Sequence, residues 1–121
     1  MFQIVFNTIS AGELSRLDTL EQLDLLDKFQ VNQEILSKES DERFGKIERD
    51  GKALYRFRCD DYRVYFEVEE EKVIVHRVLH KNTLSDFMFR SKLPMTREDE
   101  ALSQSKHFWT LIDEGKKAEN T

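Results

Sequence analysis

Apolar and polar residues alternate along five short stretches of the chain, and this alternation predicts β-strands because successive side chains of a strand point to opposite faces. Asp50-Gly51 is a strong hairpin signal, and the acidic pairs Asp60-Asp61 and Glu70-Glu71 indicate turns between the last three stretches. The predicted strands cover residues 2–7, 44–48, 53–59, 62–69 and 73–79.

A three-and-four spacing of leucines predicts helical structure after the first strand. Ser10 is a candidate N-cap, with Glu13 three residues later completing a capping box. The apolar stripe is expected to lie in the core, either as one amphipathic helix or as two short helices bent near Asp18. Its members are Leu14, Leu17, Leu20, Leu23, Leu25, Leu26 and Phe29.

The C-terminal quarter of the chain is predicted to be helical. A short helix over residues 83–92 ends at Pro94, and a final helix runs from about Arg97 to Glu114, with Thr96 before it and Gly115 after it as caps. We expect this final helix to fold back onto the domain. Its aromatic pair, Phe108-Trp109, fits an added core layer, a homodimer contact or a cover over the basic face of the sheet, which carries the strand arginines. The apolar face comprises Ala101, Leu102, Phe108, Trp109 and Ile112.

The order of these elements predicts an α+β fold, in which N-terminal helices pack on one face of a small, mostly antiparallel sheet. The sheet and its helices are assigned to residues 1–94, and residues 95–121 are assigned to an extra C-terminal helix and a tail.

Composition and charge narrow the class of protein. The chain has 121 residues and a net charge of −5, its apolar runs are short, and it lacks a secretory signal pattern. Its single cysteine, Cys59, makes no internal disulfide, and no Cys/His spacing resembles a zinc site. These features predict one cytoplasmic domain that needs no metal or cofactor and does not associate with a membrane. The charge is uneven, because residues 1–42 carry −6 and residues 43–92 carry +3.

Arginines recur inside the predicted third and fourth strands. If Asp60-Asp61 is a two-residue turn, then Arg58 lies opposite Arg63, and both share a face with Arg56. Like charges placed directly opposite each other destabilise a sheet. The cluster therefore indicates either a bound anion, such as the carboxylates of an acidic partner, or pairing with nearby acidic residues of the chain.

The run from Tyr55 to Lys81 resembles the core signature of the RelE/ParE superfamily, the toxins of bacterial type II toxin–antitoxin pairs. The similarity is carried by "YRFRCDDYRVYFEV" and by "VIVHRVLHK", and the order of elements agrees over residues 2–92. The resemblance implies a toxin with an open basic sheet face and a cognate antitoxin as its partner.

RelE-like members cleave messenger RNA on the ribosome by attack of a ribose 2′-hydroxyl on the adjacent phosphate, without a metal. The resemblance then implies that Arg63 and Arg56 contact the phosphate, with Lys81 at a third basic position. His80 is a candidate acid or base because the pKa of histidine lies near neutrality. Phe87 occupies a position where the family has a tyrosine. The candidate RNA-binding residues are Arg58, Tyr65, Lys46 and Lys52.

Two other functions remain open at this stage. ParE-like members share the fold, bind DNA gyrase and cleave no RNA, and the ending "HRVLHK" resembles theirs equally well. A diverged, non-toxic binding module is the third alternative. The leading expectation is a ribosome-dependent mRNA endonuclease in which Arg63 points away from the core.

Overall fold

The computed structural model describes residues 2–32, 36, 42–85 and 98–120. Its five-stranded sheet has the order β1-β5-β4-β3-β2, with β1 parallel to β5 and every other neighbour antiparallel. The predicted α+β fold is confirmed. The strands are β1 (Gln3–Phe6), β2 (Phe44–Arg49), β3 (Lys52–Cys59), β4 (Tyr62–Glu69) and β5 (Lys72–His80). The helices are α1 (Thr8–Ser15), α2 (Thr19–Lys28), α3 (Glu98–Ser103) and α4 (Lys106–Lys117), and residues 81–85 are also helical.

The hairpin register is the one that the turn signals predict. Asp50 and Gly51 have φ angles of 50° and 80°, and Asp60 has a φ of 51°. Such left-handed residues match the right-handed twist of the flanking strands. Arg58 therefore lies opposite Arg63, as the two-residue turn requires.

The beginning of α1 differs from the prediction. Asn7 is the N-cap, and its side chain accepts a hydrogen bond from the Ser10 N–H at 2.7 Å. Ser10 instead occupies the third helical position, where its hydroxyl accepts from the Asn7 N–H at 3.0 Å. Asp18 caps α2 by accepting from the Glu21 N–H at 2.8 Å. The leucine stripe therefore spans two short helices.

The leucines on one side of α2 point away from the sheet. Leu17, Leu25 and Phe29 are buried, whereas Leu20 is 79% exposed and Leu23 is 60% exposed. The prediction that the whole stripe lies in the core is wrong. The physical reason is that only one side of α2, which carries Leu25, meets the sheet, whereas Leu20 and Leu23 lie on the side that faces solvent.

The sheet carries an apolar layer on each face. The N-terminal helices cover one face, over a core that includes Leu25, Phe57 and Phe66. The C-terminal helices cover the other face, over a core that includes Tyr65 and Trp109. We call these the N-terminal face and the C-terminal face. The C-terminal core comprises Ile47, Leu54, Tyr65, Leu79, Leu84, Ala101, Leu102, Phe108, Trp109 and Ile112.

The predicted final helix is two helices. Ser105 breaks it and caps α4 by accepting from the Phe108 N–H at 3.2 Å. Gly115 lies within α4 and is buried, and a side chain there would overlap the His76 carbonyl, so it is a close-contact residue and not a C-cap. The predicted start at Arg97 with its Thr96 cap, and the helix over residues 83–92 beyond residue 85, lie outside the described residues. Within the described ranges, no helix is long and apolar enough to cross a membrane.

A β-bulge at His76 reverses the side-chain alternation of β5. Tyr65 pairs with Arg77 and Phe66 with Val75, so His76 is the extra residue. Val73 and Val75 before the bulge and Val78 after it therefore lie in the same core. Asn7 holds the bulge, because its side-chain amide donates to the carbonyls of Val75, His76 and Gly115 at 3.2, 3.1 and 2.8 Å.

Stability should depend on pH through His76. Burial lowers the pKa of His76, Lys116 acts in the same direction, and Glu67 at 3.3 Å and Asp113 oppose them. Below the ordinary histidine pKa of about 6.5, the unfolded chain then binds more protons than the folded one, so stability is lost as the pH falls. We expect the melting temperature to drop between about pH 7.5 and about pH 5.5, and His76→Gln to flatten that dependence. If the melting temperature of His76→Gln depended on pH as steeply as that of the parent, His76 would not be the cause. The pKa of Glu67 is also lowered, because the desolvation that raises it is outweighed by Lys116 and His76. Protonation of this carboxylate affects stability only below about pH 4.5.

Candidate functional site

The arginine cluster, which comprises Arg56, Arg58 and Arg63, lies on the C-terminal face and is covered by α3. Arg56 and Arg63 are only 5% and 8% exposed, because α3 lies over them. The expectation of an open basic face is therefore wrong, as is the expectation that Arg63 points away from the core. The physical reason is that the acidic first turn of α3 supplies the anions that these arginines need.

Arg56 and Asp99 form a bidentate ion pair. The guanidinium donates from Nε to Oδ1 at 3.0 Å and from Nη2 to Oδ2 at 2.9 Å, and its Nη1 donates to the Arg43 carbonyl at 2.8 Å. Gly45 lies opposite Arg56 on β2, and a side chain there would overlap the guanidinium. This glycine opens the space in which the pair forms.

Glu98 accepts from the two arginines that face each other across β3 and β4. The Arg63 Nε lies 3.0 Å from Glu98 Oε2, and the Arg58 Nη2 lies 3.5 Å from the same oxygen. Arg63 Nη1 also donates to the carbonyls of Asp60 and Tyr62. A carboxylate of the chain itself thus offsets the like-charge repulsion that the sequence indicates.

Tyr65 pairs with Arg56 across β3 and β4 and is fully buried. Burial raises its pKa well above the ordinary value, and the carboxylates of Glu98 and Asp99 act in the same direction. Its hydroxyl has no hydrogen-bond partner among the described residues. The side chain therefore serves the apolar core, where its ring lies 4.9 Å from that of Phe108.

We expect Tyr65→Phe to stabilise the protein. A buried hydroxyl without a partner costs about 1–3 kcal/mol of desolvation, which the variant removes while keeping the ring. Denaturant unfolding should show a higher midpoint with an unchanged slope. A loss of more than about 1 kcal/mol would mean that the hydroxyl is satisfied and important to the fold.

The other predicted catalytic residues do not join the cluster. His80 pairs with Tyr62 and its ring lies 5.0 Å from the Tyr62 ring, which packs on the N-terminal face. Its Nδ1 accepts from the Asn82 N–H at 3.0 Å. Lys81 forms an exposed ion pair with Asp61 at 3.0 Å and lowers the pKa of that carboxyl. The structure therefore places His80 and Arg63 on opposite faces of the sheet.

The predicted RNA-binding lysines are also separated. Lys46 lies opposite Tyr55 on the N-terminal face and pairs with Glu48 at 3.1 Å. Lys52 lies at the edge of the C-terminal face, 3.9 Å from Asp113 of α4. Phe87, at the position of the family tyrosine, lies outside the described residues.

The acidic partners of the strand arginines were not identified as such from the sequence. Glu98 and Asp99 were assigned no role, although acidic residues at a helix start are favoured by the helix dipole. Glu13 accepts from Arg77 at 2.7 Å and from the Val78 N–H at 2.9 Å, where β5 extends beyond the end of β1. Their partners are 35 or more positions away in the chain, and no local pattern indicates such pairs.

A smaller cluster brings Asp24, Cys59 and Asp60 together, with ligand atoms within 4.8 Å of one another. Burial raises the pKa of the Cys59 thiol, which disfavours the thiolate that metals bind. Asp24 is also engaged by Lys28 at 3.0 Å. This geometry does not favour a metal centre.

The arrangement defines a small α+β domain with helices on both faces of its sheet and an arginine cluster paired with carboxylates of the same chain. The model of the ParE toxin family of type II toxin–antitoxin systems, parDE, matches residues 14–84. The match covers more than half of the chain, so the protein belongs to this family, whose members are toxins with an antitoxin partner. No curated protein and no solved structure matches the chain.

Proposed function

We propose that this toxin acts by binding a protein target, DNA gyrase in the cytoplasm, and not by cutting messenger RNA. One observation carries the proposal: the cations that a nuclease would need are engaged within the chain and divided between two faces. Arg56 and Arg63 are held by Asp99 and Glu98, while His80 lies on the other side of the sheet. The family match supports the same choice, because ParE-like members are the gyrase-binding branch of the resemblance.

Cleavage through a ribose 2′-hydroxyl needs cations and an acid–base pair around one phosphate. A phosphate at Arg63 would have to displace Glu98, which is 8% exposed and accepts from two guanidiniums. An acid or base at His80 would then act from the opposite face. The observed geometry therefore favours a binding function.

Removing α3 and α4 from the C-terminal face would also cost a large amount of free energy. Leu102, Phe108 and Ile112 are fully buried against the sheet and Trp109 is 6% exposed. Burial of each such side chain stabilises by about 1.5–3 kcal/mol, so lifting α3 and α4 would cost on the order of 10 kcal/mol. A whole domain is stable by about 5–15 kcal/mol. The two helices thus act as part of the core and not as a lid that opens readily. These four buried side chains are therefore not available for a homodimer contact.

Two assays on the purified protein test this proposal. We expect it to inhibit negative supercoiling by gyrase and to leave ribosome-bound messenger RNA intact. The variant His80→Gln/Lys81→Met changes two side chains on which the nuclease hypothesis depends, and it should remain as toxic as the parent in a growth assay. RNA cleavage that is lost in this variant, together with unimpaired gyrase, would overturn the proposal.

A further inference from the structure

The outer side of β2 is an edge of the sheet. β2 is the last strand in the sheet order, and among the described residues no strand pairs with its outer side. Backbone N–H and C=O groups at such an edge are a template for a strand of another chain. We call this side, over Phe44–Arg49, the β2 edge.

The hairpin turn determines which residues of β2 present their backbone to this edge. The two residues that close a two-residue turn exchange both of their hydrogen bonds, and the bonded positions then alternate along the strand. The Arg58 N–H donates to the Arg43 carbonyl at 2.7 Å, which gives the same phase just before β2 begins. The odd-numbered residues therefore bond to β3, and the N–H and C=O groups of Phe44, Lys46 and Glu48 point towards the β2 edge.

Two of these outward-facing residues carry opposite charges. The side chains of Lys46 and Glu48 are 51% and 64% exposed and pair with each other at 3.1 Å. A second β2 that pairs antiparallel about a two-fold axis at Ile47 brings Lys46 of each copy opposite Glu48 of the other. The four charges then alternate in sign, and each cross-strand pair of opposite charges stabilises the sheet.

The charges also select this register over its neighbours. A two-fold axis at Lys46 would place two lysines directly opposite each other, and an axis at Glu48 would do the same for two glutamates. Like charges at such positions destabilise a sheet. The axis at Ile47 avoids both contacts and lets the outward backbone groups of Lys46 and Glu48 bond to each other across the two copies.

We propose that the β2 edge binds a second copy of this chain, so that the two sheets join into one continuous sheet across a two-fold axis. Self-complementarity of charge selects this partner, because Lys46 and Glu48 lie at the spacing that their own copies require. The pairing strand has only six residues. The interface is therefore small, and the dimer forms in a concentration-dependent way. The inference rests on the sheet and not on the choice of gyrase as target.

Sedimentation velocity of the purified toxin, from about 1 μM to about 1 mM, tests the proposal. The parent should shift from monomer to dimer within this range. We expect Lys46→Glu to weaken the dimer by about tenfold, because two attractive contacts become repulsive. The matched control Lys46→Glu/Glu48→Lys restores the alternation of charge and should dimerise like the parent. Both positions are exposed, so the melting temperatures of the monomers should be close to that of the parent.

Residue-resolved amide hydrogen exchange locates the contact. The amides of Lys46 and Glu48 should exchange rapidly in dilute solution and become protected as the dimer forms, whereas the Ile47 amide, which bonds to β3, should be protected throughout. This pattern distinguishes the β2 edge from a dimer formed elsewhere on the molecule.

Four results would overturn the proposal. The first is a parent that stays monomeric over the whole range, and the second is a Lys46→Glu variant that dimerises like the parent. The third is a double variant that dimerises as weakly as Lys46→Glu. The fourth is protection of the Lys46 and Glu48 amides only when the product of the adjacent reading frame is added, which would assign the β2 edge to a different chain.

Discussion

A chain that ends after Pro94 should fail to fold. This truncation removes α3 and α4, which exposes Ile47, Leu54 and Tyr65 and leaves Arg56 and Arg63 without their carboxylates. The lost burial is on the order of 10 kcal/mol, which is comparable to the stability of an entire domain. Circular dichroism should show no cooperative thermal transition, and the protein should aggregate on expression.

A chain that ends after Ala118 is the matched control. It keeps both helices and loses the hydrogen bond from the Thr8 N–H to the Glu119 carbonyl at 2.8 Å, together with the bridge between Asn7 and Asn120. One such bond contributes about 1 kcal/mol, so this variant should unfold cooperatively at a slightly lower temperature. A truncation after Pro94 that melts like the full chain, with an unchanged mass in solution, would show that the C-terminal helices are not part of the core.

The second large effect concerns the Arg56–Asp99 pair. Asp99→Ala should destabilise the protein by about 3 kcal/mol, because it leaves a buried guanidinium without its partner. This loss lies at the lower end for a buried pair, since the Asp99 side chain is 29% exposed and water reaches it. Urea unfolding should show the lower midpoint.

Two further variants separate the charge from the packing. Asp113→Ala breaks the exposed pair with Lys52 and should cost about 0–1 kcal/mol. Arg56→Leu/Asp99→Leu removes both buried charges and should recover much of the loss, because an apolar pair requires no desolvation of charge. Equal losses for Asp99→Ala and Asp113→Ala would mean that the buried pair contributes no more than a surface contact.

The sheet could be predicted well because its signals are local. Alternation placed Phe57 and Phe66 on one face and Arg56 on the other, and the turn Asp60-Asp61 set the register. These are properties of adjacent residues, and a two-residue turn allows few registers.

The alternation of apolar and polar residues along β5 does not predict the bulge at His76. An uninterrupted strand would keep Val73 and Val78 on opposite faces, yet both lie in the N-terminal core. The extra residue also moves His80 away from the face of Arg63, and this one displacement separates the candidate catalytic residues. The bulge is stabilised by Asn7, almost seventy residues away, so no local signal predicts it.

For a similar reason, closure of the arginine face is only one of two alternatives that the sequence allows. The sequence showed that Arg58 and Arg63 need an anion, but it could not show which anion. The identity of Glu98 as that anion depends on how α3 docks, and that in turn depends on the apolar residues of α4. The exposure of the α2 leucines does not follow from the sequence, because a three-and-four spacing does not reveal which leucines meet the sheet, even when the helix break near Asp18 is allowed for.

Amide hydrogen exchange of α4 tests most directly whether the arginine face stays closed. If α3 and α4 belong to the core, the amides of Trp109 and Ile112 should exchange only through global unfolding, with the same protection as Val64 and Phe66 in β4. We expect equal opening free energies for these two sets of amides, both falling in parallel as urea is added. Protection in α4 that is several kcal/mol lower than in β4 would show a lid that opens on its own, and would return the arginine cluster to consideration as a phosphate-binding site.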